Sequence, residues 1–208
     1  MIRFLAISLF IVLVTAGCSL KTTEGLREVT VAQPTISNPY FSNAEVDYVY
    51  KAKIALYDKN FGGILIIKKT GSDSHRVVFT TEFGSKLFDF YFEGENFQKN
   101  FIIPEMDKKL VVKTLEQDFR LLISEKIQVL EEFDSEAQNI YKTDIGKNFG
   151  FYFFEKDSRR LRKIVKASKR KEKVTIDFKI VEENIAQSIT LQHENFKLRI
   201  ELEKFKKE

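Results

Sequence analysis

The chain has 208 residues, 43% of them hydrophobic, which fits one domain or one domain with a terminal segment. A net charge of +4 is too mild to imply nucleic acid, and a single cysteine excludes an internal disulfide and a cysteine-based metal site. Twenty phenylalanines and no tryptophan supply apolar area without a polar handle, which suits either a dry core or an apolar cavity.

Met1 to Arg3 is a short basic start, and Phe4 to Val14 is an apolar run too short for an ordinary membrane span. Thr15-Ala16-Gly17-Cys18 closes the run. Small residues before a cysteine at this place resemble a bacterial lipobox, with Thr15 where leucine is usual. The resemblance implies a signal peptide over residues 1–17, cleavage before Cys18 and acylation (palmitate or a similar chain) of the new N-terminal cysteine. The alternatives are an ordinary secretory signal and an uncleaved anchor. Ser19 stands where Asp would retain a lipoprotein in the inner membrane, so the same resemblance implies an outer-membrane address. Residues 19–23 carry no acidic run of the kind that marks surface export, which favours the periplasmic face. Residues 18–43 are polar, contain Pro34 and Pro39 and show no sustained periodicity, so they read as a lipid-anchored flexible tether.

A domain is expected over residues 44–208. Val46, Tyr48, Tyr50, Ala52, Ile54 and Leu56 alternate with Asp47, Val49, Lys51, Lys53 and Ala55, the pattern of a half-buried strand. Strands over residues 61–69, 75–83 and 86–92 follow, separated by Asp58-Lys59-Asn60, the Gly71 cluster and Gly84. A fifth is expected over 97–103. These make an antiparallel meander. Pro104-Glu105-Met106-Asp107 is expected to open a helix running to Ile123, with Leu110, Val111, Leu115, Phe119 and Leu122 on its apolar stripe. Residues 124–143 are ambiguous, a loop with a short helix or strand near 127–130. Strands return at 149–154, 161–167, 174–181, 185–192 and 196–202, the last three alternating as a second meander. The fold class is mainly β (α+β), a curved antiparallel sheet covered by one helix.

Motifs of catalysis are missing. His75 and His193 sit in no zinc-binding frame, and there is no nucleophile elbow, P-loop or dinucleotide fingerprint. No carboxylate pair stands out; Asp89 reads as an exposed residue on the face opposite Phe88 and Phe90. The expectation is a protein that is not an enzyme, with no cofactor and no metal. Two features remain. Phenylalanines crowd residues 79–101 and 149–154, where they fill a core or line a hollow for acyl chains. That hollow would be bounded by Phe79, Phe88, Phe90, Phe92, Val111, Leu115, Phe119 and Leu122. Residues 159–173 are strongly basic, and Lys169, Arg170 and Lys171 would form a hairpin tip that touches anionic head groups or else protects a strand edge.

The segments Tyr50–Leu56, Gly63–Lys68 and Phe79–Gly84 resemble the early strands of the LolA/LolB-like lipoprotein carriers, over about residues 45–123. In that family a half-barrel of antiparallel strands is covered by helices, and its hollow holds acyl chains of other lipoproteins. The LolB branch is itself lipid-anchored. The resemblance implies an outer-membrane lipoprotein that receives acylated cargo, in part from a soluble periplasmic carrier, as a chaperone of lipoprotein transport. This chain lacks the tryptophans of familiar LolB sequences, and that family's apolar membrane-inserting loop, for which Leu65 and Phe61 are candidates, is not assigned to any residue. The other reading is a non-catalytic envelope lipoprotein that binds a protein partner through a sheet edge or the basic hairpin.

Overall fold

The computed structural model describes residues 20–182 and 184–205; the lipobox-like segment and Cys18 lie outside the described residues. The first half contains strands β1 (Arg27–Val29), β2 (Thr35–Ser37), β3 (Asp47–Leu56), β4 (Lys59–Gly71), β5 (Ser74–Thr80), β6 (Lys86–Glu93) and β7 (Asn96–Ile102). Helix α1 (Lys109–Ile123) follows. The second half contains β8 (Lys126–Gln128), β9 (Glu131–Asp134), β10 (Gln138–Ile145), β11 (Asn148–Glu155), β12 (Leu161–Ala167), β13 (Glu172–Glu182), β14 (Ile185–His193) and β15 (Leu198–Lys204).

Thirteen strands make one antiparallel sheet in the order β1-β9-β10-β11-β12-β13-β14-β15-β3-β4-β5-β6-β7. The last strand joins the two meanders: β15 pairs with β3 from Leu198 opposite Leu56 to Lys204 opposite Tyr50. The expected alternation of β3 holds, with Tyr48, Tyr50, Ala52, Ile54 and Leu56 all buried. On β4, Leu65 and Ile67 are buried while Ile64 and Ile66 are half-buried on the other face. The sheet is a curved, open half-barrel with α1 across its concave face.

Helix α1 begins at Lys109, beyond the Pro104–Asp107 stretch expected to open it. Asp107 is held in a turn, its N–H donating to the carbonyls of Ile103 and Pro104, and Met106 is fully buried there. The acids therefore precede the helix, and its first turn carries none. Val111, Leu115, Phe119 and Leu122 face the sheet, but Leu110 is exposed.

The segment expected to be a flexible tether is built into the domain. Strand β1 pairs with β9 and β2 with β8. Asn38 is fully buried, its Nδ2 donating to Leu122 O at 2.9 Å, and its own N–H donates to Glu125 O at 2.8 Å. Both carbonyls lie at the C-terminal end of α1, where backbone acceptors lack partners within the helix. Tyr40 and Phe41 follow into the core. The Tyr40 hydroxyl donates to Leu161 O at 2.6 Å, and its ring meets Phe178 at 4.5 Å. Burial pushes this phenol up to about 12. Phe41 packs on Tyr48 and Tyr50, and its carbonyl oxygen lies 3.0 Å from Nε2 of the buried His75. Periodicity could not reveal this segment, because its apolar residues are few and serve as single plugs.

A second, smaller cluster lies on the convex face: Phe133, Ile140, Phe151, Phe153, Val165 and Ala167, with Leu20 and Leu26 packed on it. Phe151 and Phe153 therefore point away from α1, whereas Tyr152 joins the main core. Asp89 does lie on the face opposite Phe88 and Phe90, but it is buried rather than exposed. Arg76, Lys86 and Asn100 all donate to its carboxylate and hold it well below the usual carboxylate range.

One glycine is required by packing. A Cβ on Gly63 would fall inside contact distance of the Thr80 carbonyl oxygen across the β4–β5 pair. The Gly63→Val variant is expected to lose about 1–3 kcal/mol of stability as the strands are forced apart. A urea titration read by circular dichroism checks this.

Candidate functional site

The residues expected to line a hollow are brought together, but they fill it themselves. Phe79, Phe88 and Phe90 run along β5 and β6, with ring centroids 5.4 Å apart for Phe79–Phe88 and 4.6 Å for Phe88–Phe90. Phe119 of α1 closes on Phe88 at 5.7 Å. Phe92, Val111, Leu115 and Leu122 are buried with them. This flank of the helix is a packed core, and the expected placement of the acyl-chain space there is corrected.

A groove of about 550 Å³ lies on the other flank, between the C-terminal half of α1 and the strands β8, β10, β11 and β12. Its floor follows from register. Thr143 of β10 lies opposite Gly150 of β11, which lies opposite Lys166 of β12. The row continues through Val174 of β13 to His193 of β14. Gly150 lies beneath the side chains of Thr143, Ile145 and Tyr152, which line the groove. A Cβ there would meet Ile145 Cδ1 at 2.7 Å, Thr143 Cγ2 at 2.8 Å and Tyr152 Cε2 at 3.1 Å.

Two consecutive helix residues bind this row. Lys166 Nζ donates to Gln117 Oε1 at 2.7 Å. His193 Nε2 lies 2.7 Å from Asp118 Oδ2. All of these contacts are directional, so they set where α1 sits along the sheet, which apolar packing alone specifies poorly. Burial pushes the Asp118 carboxyl up, with His193 and Lys166 acting in the opposite direction. Burial likewise pushes the Lys166 ammonium down, and Asp118 partly restores it.

Sequence reading placed Lys166 only within a basic run. The signal was weak because β12 is buried on both faces: Ile164 and Lys166 face the helix, and Val165 and Ala167 face the convex cluster. Lys169, Arg170 and Lys171 do form an exposed turn between β12 and β13, closed by the Ser168 N–H donating to Lys171 O at 2.8 Å. Next to this turn, the Thr22 hydroxyl donates to Glu172.

Phe83 is a residue whose role the sequence concealed. It is 98% exposed at the turn between β5 and β6. The turn is tight: Thr81 N–H donates to Ser85 O at 2.8 Å, Gly84 N–H to Thr81 O at 3.0 Å, and Gly84 takes φ +86°. By sequence Phe83 belongs to the phenylalanines that fill a core or line a hollow. The glycine directly after it, ending an alternating strand, was the available sign of a tip. Among the described residues no helix is long and apolar enough to cross a membrane, and no group of three or more ligating side chains forms a metal cluster.

No family model matches the chain, and no curated protein matches it in sequence. Solved structures do. A LolA superfamily protein from Nitrosomonas europaea is 9% identical, with 82% of this chain and 91% of that one covered at a TM-score of 0.50. A domain from Vibrio parahaemolyticus, described as an outer membrane lipoprotein-sorting protein domain, is 8% identical, with 77% and 83% covered at a TM-score of 0.43. The first of these likenesses establishes a LolA-like fold and bears out the resemblance read from the strand segments.

The buried Asp118 gives a testable pH signature. Its folded pKa is raised, so between the unfolded value of about 3.9 and the folded value the native state holds the extra proton. Stability contributed by this group is therefore lost as pH rises through that window. In Asp118→Asn the loss over that window is expected to vanish, which urea midpoints measured at intervals from pH 4 to about pH 8 would reveal.

Proposed function

We propose that this protein is a lipid-anchored envelope protein that binds an acyl-bearing ligand and meets a membrane with it, in the manner of the LolB branch. The groove beside α1, on a LolA-like sheet, is the observation that carries this reading. Its volume falls within the roughly 300–1,000 Å³ usual for small-ligand sites. Leu121, Ile127, Ile145 and Tyr152 supply apolar lining.

Acylated Cys18 is the anchor in this reading, and the outer membrane, periplasmic face, is its place. Leu20 packs on the convex cluster, so an anchor at position 18 holds the domain close to the bilayer; two residues span at most about 7 Å. Thr22 bonds beside the basic turn, which sets Lys169, Arg170 and Lys171 near that anchor, suited to anionic head groups. Phe83, on its rigid tip, is the side chain suited to enter the interface. Leu65 and Phe61 are not: Leu65 is fully buried and Phe61 is partly buried against the core.

The filled phenylalanine core supports a second reading, a protein that binds a protein partner at an edge. The edge strand β7 carries the exposed Phe101. Titration with a fluorescent fatty acid separates the two. Saturable binding that is weakened by Gly150→Val, which displaces the groove-lining side chains of Thr143 and Ile145 in a chain that circular dichroism shows is still folded, supports the first, and absence of binding supports the second.

Two further outcomes are expected. Labelling with a palmitate analogue should mark the wild-type chain and miss Cys18→Ala; labelling that survives the substitution removes the anchor. Phe83→Glu should lower the protein's transfer of acylated cargo into liposomes several-fold without changing its thermal midpoint, because the side chain makes no core contact.

A further inference from the structure

The polar groups of the groove indicate which head group its ligand carries, an inference that rests on the acyl-binding reading above. Lys166 is only 6% exposed, and a buried ammonium is costly unless its charge and its three donors are engaged. Here one donor is used, by the neutral oxygen of Gln117. The nearby carboxylate, Asp118, is bound directly by His193. Lys113 and Lys173 add positive potential at Lys166. Around the groove itself, Arg120, Lys126 and Lys166 face Glu95 and Asp144. Arg120 is engaged by the carbonyls of Gly94 and Glu95 and by Glu116. Lys166 is thus the buried cation with donors to spare.

A second observation is independent of charge. Asn148 lines the same groove, and its Oδ1 is buried with no hydrogen-bond partner. A buried acceptor left unpaired costs stability, so a donor supplied by a ligand would recover it. The groove therefore offers donors at Lys166, an apolar wall beyond them and, once the Asn148 side chain turns toward the ligand, an acceptor at its Oδ1.

We propose that the groove binds an anionic amphiphile of the phospholipid type, its phosphate on Lys166, a hydroxyl or N–H of its head donating to Asn148, and its first methylenes against Leu121, Ile127 and Tyr152. A neutral diacylglycerol leaves the buried ammonium unmatched. A fatty-acid carboxylate satisfies Lys166 and leaves Asn148 unpaired.

The test uses the full chain in maltoside micelles, titrated with dioctanoyl phosphatidylglycerol, dioctanoyl phosphatidylcholine, dioctanoylglycerol or inorganic phosphate. One-to-one adducts are read by native mass spectrometry. Phosphatidylglycerol is expected to bind about tenfold more tightly than dioctanoylglycerol, and Lys166→Gln to remove that preference, so that the two lipids bind the variant equally. Asn148→Leu is expected to weaken phosphatidylglycerol several-fold, and Lys59→Gln, an exposed position on β4 away from the groove, to leave it unchanged. Circular dichroism melting shows that each variant is folded; if Lys166→Gln is not, the Asn148→Leu result decides. Equal binding of all three lipids, unaltered in Lys166→Gln, overturns the head-group proposal and leaves acyl binding standing. Inorganic phosphate binding as tightly as the lipid overturns it in favour of a free-anion site. No adduct with any lipid overturns both readings.

Discussion

A sheet of thirteen strands that curves without closing has a concave face larger than one helix of fifteen residues can cover. Everything else in the molecule follows from how that face is filled. Helix α1 covers the first meander, where phenylalanines from β5 and β6 stack against Phe119. Tyr40 and Phe41, from the chain before β3, plug the region between the meanders. What neither plug nor helix fills is the groove between α1 and β10 to β12. The space available to a ligand is the remainder of the packing, so it lies where the apolar side chains run out.

The polar contacts of α1 belong to this same constraint. A helix on a curved apolar surface can slide, because dispersion and area burial are nearly indifferent to small translations. Gln117 on Lys166 and Asp118 beside His193 tie it to one row of the sheet. Asn38 ties its end to the N-terminal segment. Burying these groups is costly in itself, and their value lies in specifying one arrangement of helix, plug and groove. The pairing of β15 with β3 has a similar role across the whole chain, joining residues about 150 positions apart. Such non-local closure is slow to form, since loop entropy is lost before contacts compensate for it.

The two faces of the sheet are used differently. The concave face holds the core and the groove. On the convex face near β9 to β12, a small cluster is covered by Leu20 and Leu26. The chain from Leu20 to Leu26 is therefore laid along the domain. An anchor there would keep the protein against its membrane, rather than let it range on a long leash as an unstructured tether would.

Several elements were legible in the sequence because they obey a local period. The alternation of β3, the three C-terminal strands and the helical spacing of Val111, Leu115, Phe119 and Leu122 are set by which residues must face one apolar layer. The turn before β13 was legible from its charge. The sequence by itself thus determined the strands of the two meanders outside residues 18–43 and 124–143, the helix, the antiparallel order and the likeness to a LolA-like half-barrel, and it missed β1, β2, β9 and β10. Tertiary structure alone decided what fills the hollow. Tyr40 and Phe41 are single residues without periodicity, Lys166 lies on a strand buried on both sides, and Phe83 looks like any other phenylalanine until the tight turn holds it outward. Whether an apolar side chain packs, lines or protrudes depends on what stands opposite it, and that partner comes from distant chain.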